Sequence, residues 1–270
     1  DFMKDTSDRN RTSPFAFTGN KFEFRALGSS LNIACPNYML NTMVAEELSE
    51  FYDELKDADD MDAAIKALVK KVFTEHQNII FNGNNYAPEW VEEAERRGLP
   101  NIKSMVEAVG SLVKPETVKM FEGFGVFTEA ELKSRAEIKY EAYAKAINIE
   151  AKSMIDIAGK QIIPAVISYT TELANAVITV SEAGVDSSVQ KELLDTITGY
   201  LKDMKSAYAK LVDVTEKGSS VEGAKEQATY YRDIVKTTMD ELRAPADALE
   251  MIVDKEYWPF PSYGDLMFEV

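Results

Sequence analysis

The sequence predicts a mainly α protein with a small β element, an α+β chain in which a short hairpin precedes a long-helix antiparallel bundle. Two observations carry this expectation. Pro14 to Phe17 and Lys21 to Arg25 are short alternating runs on either side of Thr18-Gly19-Asn20, the pattern of a hairpin with a short glycine-containing loop. From Thr128 onward, apolar residues recur at helical spacing through long stretches joined by short turns.

Taken in order, Asp1 to Asp8 is a polar lead-in. After the hairpin, Gly28-Ser29-Ser30 reads as a loop. Pro36 suits the first turn of a helix, and Leu40, Met43, Val44 and Leu48 recur at helical spacing to about Ala58. Asp59-Asp60 breaks that pattern and can cap a helix from Met61 to about Thr74, with Ile65, Leu68, Val72 and Phe73 as its apolar stripe. Asn82-Gly83-Asn84-Asn85 is a turn signal, and His76, the single histidine, reads as structural. Trp90 to Arg97 is a short helix stopped by Gly98, and further short helices cover Ile102–Leu112 and Pro115–Phe121. Gly123-Phe124-Gly125 reads as a flexible joint, since no nucleotide-binding glycine pattern surrounds it.

Thr128-Glu129-Ala130-Glu131 opens like a capping box. Leu132, Ala136, Tyr140, Tyr143, Ile147, Ala151, Met154, Ala158, Ile162 and Ala165 then fall in steps of four, four and three. That eleven-residue period favours a nearly straight helix. Continued through a kink at Pro164 to Ser181, it spans about 80 Å. Gly184 ends it. Helices from about Asp186 to Lys217 and Val221 to Val253 follow, and Pro245 is expected to kink or divide the last. The bundle has no Glu-x-x-His arrangement for a carboxylate metal core, and its tyrosines read as packing. Trp258-Pro259-Phe260-Pro261 cannot continue a helix, so its aromatics are expected to tie the end back. The divisions implied are 1–58, 59–127, 128–256 and 257–270.

Composition narrows the function. The chain has 270 residues, enough for one large or two smaller domains. Its formal charge of −16 argues against nucleic acid and anionic membrane surfaces, whose binders present basic patches. The single cysteine, Cys35, excludes an internal disulfide and a Cys-rich zinc site; it reads as a small buried filler and fits a reduced, cytoplasmic setting. Ile162 to Val180 carries Glu172, Asn175 and several hydroxyls, which reads as too polar for a membrane span, so a soluble protein is expected. The sequence opens on Asp1 without an initiating Met or a signal peptide, and a piece of a longer protein is expected.

Side chains alternate along a strand, so Phe22 and Phe24 share one face while Lys21, Glu23 and Arg25 share the other. That charged face has two readings. It is either an exposed strand of mixed charge, or a row of groups that binds an anionic substrate together with a metal. A carboxylate suits a hard divalent cation, and arginine suits bidentate capture of carboxylate or phosphate.

A resemblance favours the second reading. Asn10-Arg11-Thr12-Ser13, Lys21-Phe22-Glu23-Phe24-Arg25 and Asn32-Ile33-Ala34-Cys35-Pro36-Asn37 together resemble the late active-site region of glutamine synthetases. Arg-Thr-Ser-Pro-Phe-Ala-Phe-Thr-Gly-Asn-Lys, Phe81-Asn82-Gly83-Asn84, Glu93 to Leu99 and Trp258-Pro259 resemble the large bacterial type III branch. The resemblance implies that residues 1–58 end a catalytic domain of which the hairpin is a remnant. It implies Glu23 as a metal ligand for Mg2+ or Mn2+ and Arg25 as the group holding substrate glutamate. Arg11 would contact the phosphoryl group and the substrate, and Lys21 would stand where relatives carry an ATP-phosphate arginine, keeping the charge without the bidentate fork. The further arginine common after Asn-Arg-Ser is replaced by Phe15-Ala16-Phe17. The substrates implied are glutamate, ammonia and ATP, and the assembly a large homo-oligomer. The family's other metal ligands precede this stretch, so the chain alone is expected neither to make glutamine nor to bind magnesium tightly. An alternative is that the region after Thr128 is a non-catalytic scaffold, oligomerisation or partner-binding module.

Overall fold

The computed structural model describes Phe15–Phe17, Phe22–Phe24, 31–81, Asn84 and 87–268. The chain is predominantly helical and clusters into two compact units, Asp1–Ala130 and Glu131–Val270.

In the first unit, β1 (Phe15–Phe17) and β2 (Phe22–Phe24) pair antiparallel, with Phe15 opposite Phe24, Ala16 opposite Glu23 and Phe17 opposite Phe22. Helix α1 (Ala34–Leu55) carries Pro36 in its first turn, as expected, and the Asn32 side chain accepts the Ala34 N–H at 3.0 Å. Helix α2 (Met61–Glu75) begins where its cap predicts: the Asp60 carboxylate accepts the Ala63 N–H at 3.0 Å. Across the pair, Lys71 Nζ meets Glu54 Oε1 at 2.5 Å.

The stripe expected on α1 does not turn inward. Met43 and Leu48 are 50% and 60% exposed, and on α2 Phe73 is 61% exposed while Leu68 is buried. The side chain that roots α1 is Tyr38, off that stripe, whose ring stands edge-on to Phe121 at 6.1 Å and Phe127 at 5.1 Å. Phe121 belongs to α5 (Pro115–Gly123) and is fully buried.

Between α2 and α5 lie α3 (Pro88–Arg96) and α4 (Met105–Val109), the latter passing into a 3-10 turn at Gly110–Val113 that breaks the single helix expected there. Gly98 takes φ +73°, and the Leu99 N–H donates to Ala94 O at 2.9 Å, closing α3 in the left-handed conformation glycine tolerates. Gly125 does the same for α5, so the expected flexible joint is instead a capped helix end in which the Val126 N–H donates to Phe121 O at 3.0 Å.

The second unit is the bundle. Helix α6 (Glu129–Ile157), which begins at the unit boundary, runs through a π-helical turn at Ala158–Ile162 into α7 (Ile163–Glu182). Helix α8 (Ser188–Gly218) returns antiparallel to α7, and α9 (Ala224–Tyr230), a second π-helical turn at Tyr231–Val235 and α10 (Lys236–Glu250) form the third limb. The predicted stripe is the buried one: Leu132, Ala136, Tyr140, Ile147, Ala151, Ala158 and Ile162 are buried, and Tyr143, Met154 and Ala165 half-buried. Ile197, Met204 and Leu211 of α8 meet Val166, Val235, Leu242 and Leu249 in the core, each apolar side chain contributing about 1.5–3 kcal/mol on full burial.

One of the two prolines marks an irregularity and the other does not. Pro164 sits in the first turn of α7, where its missing N–H costs little, and the π-turn lies just before it. Pro245 lies inside α10 without dividing it; the interruption is at Tyr231–Val235. Both π-turns adjoin points where a ring closes on a glycine. A Cβ at Gly159 would lie 2.9 Å from the Tyr208 hydroxyl, and one at Gly218 would lie 3.0 Å from Tyr231 Cζ.

The tail folds back as expected, with Tyr257 5.3 Å from Tyr169 and Trp258 against the core, but α11 (Tyr263–Phe268) follows, capped by Ser262 and Asp265. By length and composition alone, the helical path Glu129–Glu182 contains a stretch apolar enough to cross a membrane, with 17% of it buried here. This corrects the expectation that its polar residues rule out a span on those grounds.

Both rings meet their glycine with the phenol end, but Tyr231 is buried on every side while Tyr208 is half-buried, with open space to yield into. Gly218→Ala is therefore expected to destabilise by about 1–3 kcal/mol, as overpacking does, and Gly159→Ala by less than about 1 kcal/mol. Urea unfolding of the two variants measures the difference.

Candidate functional site

Of the four residues expected to carry the chemistry, Glu23 is described. It is the central residue of β2, half-buried, and pairs in register with Ala16. Arg11, Lys21 and Arg25 lie outside the described residues, as does the loop Thr18-Gly19-Asn20. Eleven residues past Glu23, α1 opens at Ala34 within the Asn32-Ile33-Ala34-Cys35-Pro36-Asn37 segment. There the Tyr38 hydroxyl donates to Cys35 Sγ at 3.1 Å, so Cys35 is a half-buried filler held by its own helix.

A hard divalent cation takes several oxygen ligands, so one carboxylate holds it poorly. Among the described residues, no group of three or more His, Cys, Asp or Glu side chains could hold a metal ion. The described carboxylates therefore do not by themselves fit a magnesium or manganese site, and Glu23 could serve one only beside donors from elsewhere.

A second constellation joins two segments separated in sequence. Phe81 stacks on Trp90 of α3 with centroids 4.0 Å apart, and the Arg97 guanidinium lies 5.8 Å and 5.5 Å from their ring centres. Arg97 donates to Ile80 O at 2.9 Å and, through Nε, to Glu93 Oε1 at 2.5 Å. Arg96 holds the same carboxylate from the other side, at 2.7 and 2.6 Å. Arg97 thus clamps the segment before Asn82-Gly83 onto α3. Both motifs are legible in the sequence but their contact is not, because a cation stacked on two rings leaves no periodic signal. His76 is exposed and ends α2, in keeping with a structural role.

Comparison with known proteins bears on these segments together. Residues 64–181 match the glutamine synthetase C-terminal domain. The chain is 34% identical to a glutamine synthetase of Butyrivibrio fibrisolvens over 274 residues, covering 100% of this chain and 39% of that protein. It is 34% identical to the type-3 glutamine synthetase of Dictyostelium discoideum (98% of this chain, 37% of that one) and 35% identical to a glutamine synthetase of Bacteroides fragilis strain YCH46 (99% and 38%). These likenesses place the chain in the glutamine synthetase family, with a type-3 protein among its relatives. It spans about two fifths of the length of the relatives it matches.

The Glu93 carboxyl is held down to about 2 by its hydrogen bonds, first from Arg96 and then from Arg97. A depressed carboxylate contributes stability that is present above its ordinary range near 4.5 and is lost as pH falls toward 2. A carbon-13 titration of the Glu93 carboxyl is expected to give a midpoint near 2. In Arg96→Ala/Arg97→Ala the midpoint should return toward the ordinary range, with Trp90 fluorescence shifting toward that of a solvated indole.

Proposed function

We propose that this chain is the C-terminal portion of a glutamine synthetase, an ATP-dependent glutamate–ammonia ligase whose active site it helps to complete. The observation that supports this is likeness along essentially its whole length to three glutamine synthetases. In that reaction ATP phosphorylates the side-chain carboxylate of glutamate, and ammonia displaces the phosphate. Several negative charges must be gathered, and cations must meet the charge that develops on the transferred group.

On this reading Arg25 holds the substrate glutamate, Arg11 faces the phosphoryl group and the substrate, and Lys21 faces the ATP phosphates as a point charge without the arginine fork. Glu23 would contribute one oxygen ligand to Mg2+ or Mn2+, which when bound would neutralise phosphate charge. The remaining ligands belong to sequence outside this chain. The chain by itself therefore neither makes glutamine nor binds magnesium tightly. The complete protein is a cytoplasmic homo-oligomer with no nucleic-acid or membrane partner, consistent with the charge of −16.

A second reading concerns the helices, and open apolar faces favour it. Ile167 and Ile178 on α7 are at least half exposed. Such residues suit contact with other protein surface, which makes the helical part a scaffold that positions subunits.

Glu23→Gln and Arg25→Lys, each introduced into the full-length parent, are expected to lower glutamine formation by about 100-fold or more with assembly size unchanged. Activity retained in both, or glutamine formed by the 270-residue chain alone, would refute the first reading. Removing the region after Phe127 from the parent tests the second: mass photometry should show smaller assemblies.

A further inference from the structure

Helix α8 packs against α7 on one side and α10 on the other, while α6 and α10 leave a groove between them. Its volume is about 410 Å3, within the range of small-molecule sites. Met204 of α8, which is fully buried from bulk solvent, contributes to its lining with Ile162, Met239 and Leu242, while Met154 and Ala246 are half-buried there. Thioether side chains adapt to the shape of an apolar guest.

Both π-turns adjoin this groove. Ala158 and Ile162 of the first line it, and the lining residue Lys236 directly follows the second. Such turns concentrate at functional sites. The charges along the groove are Glu150, Asp240, Asp247, Lys236 and Arg243. Arg243 Nε is engaged by Asp247 Oδ2 at 3.1 Å, which leaves Glu150 and Asp240 against Lys236 alone. The excess is negative, as is the whole chain.

We propose that this groove binds a small amphipathic cation, an aromatic or alkyl body with a protonated amine. The body lies over Met154 and Met239, and the ammonium lies at Glu150 and Asp240. Anionic and neutral bodies of the same shape gain the apolar contact but not the charge complement. The groove lies within the second unit, and the inference does not depend on the ligase reading.

The test uses the 270-residue chain and three isosteric fluorescent probes: 1-naphthylmethylammonium, 1-naphthylmethanol and 1-naphthoate. The ammonium is expected to bind saturably and roughly five-fold more tightly than the alcohol, with the carboxylate weakest. Glu150→Gln/Asp240→Asn should erase the preference for the ammonium and leave the alcohol unchanged. Ala246→Leu, shown by circular dichroism to remain folded, should weaken all three. The proposal is overturned by an ammonium that does not saturate, by equal binding of the three probes, or by binding indifferent to Ala246→Leu. Self-association of the chain that Ala246→Leu abolishes would equally overturn it, by identifying a second copy as the occupant.

Discussion

The second unit depends on how closely α8 can approach its neighbours. Two tyrosine rings set that distance, Tyr208 against Gly159 and Tyr231 against Gly218, and neither contact leaves space for a β-carbon. Gln227 Nε2 donates to Gly218 O at 3.1 Å, which ties the start of the third limb to the end of α8 at the same place. Lys210 Nζ and Glu241 Oε2, 2.5 Å apart, add a surface link between α8 and α10, but an exposed pair of that kind contributes little beside the buried side chains. Packing, rather than surface charge, holds this unit.

The division of chemistry follows from a different constraint. Phosphoryl transfer needs many charges converging on one point, and a single carboxylate on a three-residue strand cannot supply them. The chain spans about two fifths of the length of its relatives, and its described residues do not gather the several oxygen ligands a divalent cation needs. The long helices carry no comparable cluster among the described residues, and their exposed apolar side chains suit contact with other protein.

Much of the helical architecture was legible because its signals are local. Asp60 announces α2, Gly98 and Gly184 announce helix ends through positive φ, and the spacing from Leu132 to Ile162 announces the buried face of α6. The π-turn at Tyr231–Val235 was not legible, since it adjoins a contact between residues far apart in sequence. Pro164 marks the irregular turn just before it, whereas Pro245 lies inside an undivided α10. The helix of α1 was legible but the direction of its apolar face was not, because periodicity identifies a stripe without identifying what covers it. Of the candidate site, the strand carrying Glu23 was legible from alternation, while Arg11, Lys21 and Arg25 lie outside the described residues. The Arg97 clamp escaped sequence reading because stacking has no spacing rule.

The π-turn at Ala158–Ile162 also bears on how this long rod tolerates changes in length. Inserting or deleting one residue in an ordinary helix rotates everything beyond it by about 100° and turns the apolar side to water. A wider turn takes up one residue locally, so α6 and α7 keep their apolar sides aligned despite it. This segment is therefore the natural place for homologous rods to differ by a single residue while still packing against the same neighbour.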